Sequence, residues 1–255
     1  MTGSDTQDPR FEYLLRLGDS SLILGQRLSE WCGHGPELEE DIALINIALD
    51  LIGQARSLLT YAGEVEGRGR DEDALAFLRD GREFRNLLLV EQPNQDFAVT
   101  IARQFLFDAF HAELLQALTG SGDEKLAAIA AKSLKEASYH RRHSAEWVIR
   151  LGDGTPLSRE KMQAALDDLW MYSGEMFEMD PLETALVEAG VAADRAALRP
   201  RWEAQVSEVI AAATLSRPAD DWMQSGGLQG RHSEHLGHIL AEMQHLQRAY
   251  PGASW

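Results

Sequence analysis

Cysteine is nearly absent. With Cys32 alone, no intrachain disulfide and no thiolate-held metal cluster can form, and the reading is a reducing compartment, the cytoplasm. Basic charge is also short, since 24 Lys and Arg stand against 41 Asp and Glu, for a formal net charge of -17. That balance favours solubility and argues against a nucleic-acid partner or an anionic membrane surface. Charges interrupt the apolar segments, so no membrane span of roughly 20 residues is expected. Met1 to Arg10 is polar, with Asp5 and Asp8, and reads as a flexible N-terminal tail rather than a signal peptide. Period-two alternation is scarce, β-branched residues are scattered, and there is neither a fixed-period repeat nor a low-complexity tract.

What remains is helical spacing among Ala, Leu, Glu, Gln and Arg. The pattern predicts helices at about 12–31, 36–61, 95–118 and 123–151. The second opens with Pro36 in its first turn and Glu37, Glu39, Glu40 and Asp41 at the positive end of its dipole. Short breaks at 32–36 and 119–122 make two antiparallel hairpins. Between the hairpins lies a long connection holding Gly63, Gly67, Gly69 and Gly81, with a short helix near 73–79. A single long crossover is the topology of ferritin-like bundles. The expected fold is therefore all-α: one ferritin-like four-helix domain over 11–255, with its bundle at about 12–151. Additional C-terminal helices are expected at 158–177, 192–214 and 232–250.

The helix at 36–61 carries no charge between Asp41 and Arg56 except Asp50, so it reads as buried on all sides. On it Asn46, Asp50, Gln54 and Ser57 form one polar stripe, with Gly53 beside them. Thr100, Gln104, Asp108 and His111 form a matching stripe on 95–118. Glu136 and His140 do so on 123–151, where Ala130, Ser133, Ala137 and Ser144 leave room for close approach. The first helix offers only Asp19 and Gln26. Buried carboxylates need partners, and four helices projecting polar groups inward are how di-iron carboxylate sites are built: a Glu from each of two helices and a Glu-x-x-His from each of the other two. This chain departs from that set. Gly53 stands three residues after Asp50 and Tyr139 three after Glu136, where histidines are required. Asp108 and His111 have the spacing, but aspartate is one methylene short. The expectation is a hydrogen-bonded polar core of Asn46, Asp50, Gln54, Asp108, His111, Glu136, Tyr139 and His140, with no catalytic residue and no metal. The rival is an iron-binding oxygenase or ferritin-type protein using Asp50, Asp108, His111, Glu136 and His140.

Other constellations are weaker. His232, His235, His238 and His245, with Glu234 and Glu242, crowd the last helix and read as a solvated face rather than a divalent-metal site. Gly226-Gly227-Leu228-Gln229-Gly230-Arg231 matches no phosphate-loop motif. Cys32 beside His34 reads as incidental.

The stretches LGDSSLILGQRLSEWCGHGPELEEDIALINIALDLIGQAR, LLLVEQPNQDFAVTIARQFLFDAFH, KEASYH and EHLGHILAEMQHLQR span the chain from Leu17 to Arg248. They resemble the C subunit family of the bacterial 1,2-phenylacetyl-CoA epoxidase of phenylacetate catabolism. The resemblance implies a structural subunit paired with a related catalytic A subunit that carries the di-iron centre and handles the acyl-CoA. It further implies a small B subunit and an NADPH-dependent flavin and iron–sulfur reductase that supplies electrons. The complex would add one oxygen atom from dioxygen across the aromatic ring, and no catalytic residue or cofactor is carried onto this chain. Whether the isolated chain forms a homodimer is left open.

Overall fold

The computed structural model describes residues 8–253. Among them there are α-helices and short 3-10 turns and no strand. Two long hairpins form the bundle. Helices α1 (Pro9–Ser29) and α2 (Leu38–Glu66) make the first, and α4 (Phe97–Leu118) and α5 (Glu124–Gly152) the second. The crossover between them contains α3 (Glu72–Phe77) and 3-10 turns at Gly81–Glu83 and Leu88–Glu91. C-terminal helices α6 (Pro156–Trp170), α7 (Pro181–Glu188), α8 (Arg195–Ala212), α9 (Glu234–Met243) and α10 (His245–Ala249) pack onto it, and one continuous apolar core joins all but α10.

Local chemistry accounts for most boundaries. Helix α1 begins earlier than its apolar pattern suggests, because the Asp8 side chain caps the Arg10 N–H and Pro9 occupies the first turn. Positions 8–10 of the expected tail are thus cap and helix, whereas 1–7 lie outside the described residues. Asp71, Asp96, Asp123, Thr155, Asp180 and Asp194 cap α3 to α8 in the same way. Helix α2 runs five residues further than expected and stops at Gly67, whose φ of 67° is left-handed and whose N–H bonds the Gly63 carbonyl. Helix α7 was hidden in the sequence by its shortness, and the last expected helix is broken at Gln244, whose side chain turns in to bond the Ala76 and Arg79 carbonyls.

The largest departure concerns which helix is central. Helix α4, not α2, is buried on all sides, and even its Thr100, Arg103, Gln104, Asp108 and His111 are inaccessible. Helix α2 packs along α1 and also against α3 and α5, and leaves a strip open on which Leu38, Ile42 and Leu49 are exposed. By length and composition α2 is apolar enough to cross a membrane, contrary to the expectation that charges would prevent it, and 44% of the qualifying window is buried within the bundle. The charge-free run between Asp41 and Arg56 suggested burial on all sides, but freedom from charge does not require burial, and exposed aliphatic side chains are ordinary on a protein surface.

Candidate functional site

The inner polar groups divide into small hydrogen-bonded sets. Across α2 and α5, the Asp50 Oδ2 lies 3.0 Å from His140 Nε2, and one turn along Gln54 Nε2 donates to Glu136 Oε2 at 3.0 Å. A third link joins Glu40 Oε2 to His143 Nε2 at 2.9 Å. On the other side of His140, Asp108 Oδ1 accepts from Gln104 Nε2 at 2.7 Å and its Oδ2 from Ser144 Oγ at 2.8 Å. Burial pushes the Asp108 carboxyl up to about 6, against the pull of His140 and the two hydrogen bonds. The same burial, with His140 nearby, pushes His111 down to about 3, so that its imidazole is neutral at physiological pH. Its Nδ1 has no hydrogen-bond partner, and its ring stacks at a tilt on Phe107 at 4.9 Å.

Of the eight residues expected to share a polar core, Asp50, Gln54, Glu136 and His140 meet across the α2–α5 seam, and Asp108 reaches that group through Ser144. Three do not join. Asn46 is exposed and bonds only the Ile42 carbonyl of its own helix. Tyr139 is 44% exposed and leans toward His143 and Arg142. His111 faces a cavity of about 30 Å³ between α1 and α4, space for roughly one water molecule. The reason is geometric, since positions three and four apart share a helix face but which face turns inward is set by neighbouring helices. Because His140 is fully buried, Asp50→Ala is expected to strand it and cost about 1 to 2 kcal/mol. Chemical denaturation checks this, and an unchanged midpoint would mean that water replaces the carboxylate without loss.

Ferritin-like bundles are built to hold a di-iron centre, and the residues here do not fit one. Among the described residues no group of three or more His, Cys, Asp or Glu side chains could hold a metal ion. Gly53 has no side chain to offer, Tyr139 is outside, and Asp108 is already held by two neutral donors. On α1, the single inward carboxylate is Asp19, and it is fully engaged: Arg79 grips both of its oxygens, and the Arg85 N–H donates to Oδ2 at 2.8 Å. A positive guanidinium sits where a cation would have to share that carboxylate.

The sequence reading missed a second set of buried charges, which fastens the crossover and the C-terminal helices to the bundle. Glu183 of α7 takes hydrogen bonds or ion pairs from Arg195 and Arg16, and Arg16 also reaches Asp180 at 2.6 Å. Glu91, wholly buried in the crossover, accepts from Asn86, from the Ser233 N–H and from His232 Nδ1. Arg103 is buried without a carboxylate, its guanidinium bonded to the Gln92 carbonyl at 2.6 Å and to Asn94 at 2.8 Å. The glycine-rich loop does hold an anion, but one from its own chain. The N–H groups of Gly226 and Gly227 donate to Glu175 Oε1 at 2.8 and 2.7 Å, while the Leu88 N–H holds Oε2. A Cβ on Gly227 would collide with the Asn86 carbonyl, which is why that position is glycine. No local motif marks these carboxylates, because each partner lies 50 or more residues away along the chain, except Asn86 beside Glu91 and Arg195 beside Glu183.

His232 is the exception to the solvated-face reading of the terminal histidines. Its Nδ1 meets Glu91 Oε2 and its Nε2 meets the Phe84 carbonyl, both at 3.0 Å and both acceptors, so both ring nitrogens carry protons. Burial opposes that charge, but the Glu91 and Phe84 bonds outweigh it and raise the pKa above the usual histidine value. Stability from this contact is therefore complete below a pH of about 6.5 and is lost as pH rises through the higher folded-state value. The gap in melting temperature between the parent and His232→Gln is expected to narrow from pH 6 to pH 9. A gap that widened would reverse the sign assigned here.

Fold and site together define a ferritin-like helical bundle whose inward positions are filled by hydrogen-bonded and ion-paired side chains instead of a converging ligand set. The chain belongs to the phenylacetic acid catabolic protein family, which matches residues 1–255. It is 56% identical over 243 residues to the C subunit of the 1,2-phenylacetyl-CoA epoxidase of Escherichia coli (strain K12), covering 95% of this chain and 98% of that one.

Proposed function

We propose that this chain is the structural, non-catalytic subunit of a multicomponent oxygenase of aerobic phenylacetate catabolism. It docks and stabilises a catalytic ferritin-like A subunit, alongside a small B subunit, in the cytoplasm. The likeness to an epoxidase subunit supplies the pathway and the reaction, which places one oxygen atom on the aromatic ring of phenylacetyl-CoA. The observation that carries the non-catalytic assignment is the Asp19–Arg79 pair, which commits the inward carboxylate of α1 to a guanidinium. The di-iron centre and the acyl-CoA then belong to the partner, with electrons coming from an NADPH-dependent flavin and iron–sulfur reductase. What this chain supplies is surface: a bundle whose inward carboxylates are held by its own side chains and backbone, leaving helix faces for contact.

Two measurements test the proposal. After anaerobic incubation with ferrous salt and desalting, the chain is expected to retain no stoichiometric iron, and a tightly held metal pair would return the chemistry to this chain. Coexpressed with the catalytic subunit, it should coelute at both low and high salt, because large heteromeric interfaces rest on apolar contact more than on screened charge. Full epoxidation by the catalytic subunit and reductase without this chain would end the docking reading.

A further inference from the structure

Gly53 is the residue that the packing of this chain leaves unexplained. It lies within the 29-residue α2, where glycine is destabilising relative to alanine because it has more backbone freedom to lose. Nothing in the chain requires it, since a Cβ built there would meet no atom within 4 Å. That space belongs to a slot of about 330 Å³ between α2 and α5, a volume within the range of small-molecule sites. Gly53, Ala128 and Ser133 are its small lining residues, and Leu49 and Ile129 its large apolar ones.

The polar groups of the slot are sorted by sign. Acceptors gather where Asp50, Gln54 and Glu136 line it. Asp50 spends Oδ2 on His140 and Glu136 spends Oε2 on Gln54 Nε2, and among the described residues no donor reaches Asp50 Oδ1 or Glu136 Oε1. Gln54 is only 3% exposed, yet its Oε1 has no hydrogen-bond partner. Its amide cannot be turned round to cure this, because the nitrogen already faces a carboxylate, which only accepts. A buried carbonyl oxygen without a donor is costly and calls for an explanation. Three open acceptors, from two carboxylates and an amide, match the three N–H donors of a primary ammonium. They suit a metal ion less, because among the described residues no three His, Cys, Asp or Glu side chains converge to hold one.

Lysines line the rest of the slot. Lys125 is spent on Glu64 and lies over the Tyr61 ring at 4.8 Å. Lys132 pairs with no carboxylate among the described residues, although Glu136 stands one turn away on the same helix. Four residues of helix separate their Cα atoms by about 6 Å along the axis. That is the reach of a short ω-amino acid from ammonium to carboxylate. A bare ammonium would sit beside an uncompensated lysine, whereas a zwitterion meets both signs.

We propose that the α2–α5 slot binds a small amino acid, its ammonium held by Asp50, Gln54 and Glu136, its carboxylate by Lys132, and its aliphatic chain lying over Gly53. The inference does not rest on the docking role proposed above, since this chain forms the slot by itself.

Isothermal titration calorimetry of the full-length chain with γ-aminobutyrate tests it, with butylammonium and butyrate as half-ligands and magnesium chloride as the competing cation. Saturable binding of γ-aminobutyrate is expected with a dissociation constant of about 1 mM or below, and butylammonium should bind about threefold more weakly. Butyrate should not bind. Glu136→Gln keeps an acceptor for Gln54 but removes the charge, and should weaken γ-aminobutyrate about tenfold. Lys132→Met should reduce γ-aminobutyrate to the level of butylammonium and leave butylammonium no weaker. Gly53→Leu fills the slot, so it should abolish binding while raising the melting temperature, which separates a lost site from a lost fold. Absence of saturable γ-aminobutyrate binding to the parent chain overturns the proposal. So does binding that survives Gly53→Leu in a folded chain, and so does butyrate binding as tightly as γ-aminobutyrate. Magnesium binding that is tighter than that of γ-aminobutyrate and is lost in Glu136→Gln would assign the slot to a metal cation and refute the amino acid.

Discussion

Asp19→Ala is expected to lower the melting temperature by about 10 °C, a steeper loss than any of the substitutions above should cause. Asp19 and Arg79 are both inaccessible, and the carboxylate accepts from the guanidinium and from the Arg85 N–H. Removing it leaves Arg79 as a buried charge with only the Leu75 and Glu83 carbonyls and the face of Phe84, 4.3 Å away, for compensation. Breaking one side of such a pair costs about 3 to 5 kcal/mol, and a chain of this size loses roughly 2 to 4 °C per kcal/mol. Differential scanning calorimetry measures the shift. The double substitution Asp19→Leu with Arg79→Met should recover most of it, since an apolar pair of similar volume does not strand a charge. A single variant that melts with the parent would show that water or a rearranged carboxylate replaces Asp19.

Asp108→Asn is expected to act in the opposite direction. The folded-state pKa of Asp108 lies at about 6, above the unfolded value of about 3.9, so its protonated form favours the folded state. Its stabilising contribution is fully present below about pH 4 and is lost as pH rises through 6. At pH 8 the ionised carboxylate therefore carries a penalty of about 3 kcal/mol, which asparagine does not. Asparagine also suits the neighbours, because it can accept from Ser144 Oγ while its amide donates to Gln104 Oε1, which has no partner in the parent. The expected result is a melting temperature about 5 to 10 °C higher at pH 8 and unchanged at pH 4. A loss of stability at pH 8 would mean that the surroundings of Asp108 favour its charged form.

Much of the bundle was readable from the residues alone. Aliphatic residues at intervals of three and four, the acidic start of α2 and the contrast between two short breaks and one long connection led to two hairpins and a crossover. The polar residues of α4 and α5 were also readable as inward, because they interrupt otherwise apolar faces. Less of the site was accessible. Asn46 and Tyr139 share spacing with true interior residues but face outward. The pairs that decide the site's character, Asp19 with Arg79 and Glu91 with His232, link residues 60 and 141 positions apart.

The sequence by itself determined the helical class, the hairpin order and the missing histidines at Gly53 and Tyr139, because propensity, capping and periodicity act within a few residues. Only the tertiary structure decided which carboxylates are neutralised, that α4 rather than α2 is the central helix, and that α2 leaves Leu38, Ile42 and Leu49 exposed. Those outcomes depend on which surfaces meet after the chain has turned back on itself, and a charge-free run is compatible with a buried or an exposed face until its neighbours are in place.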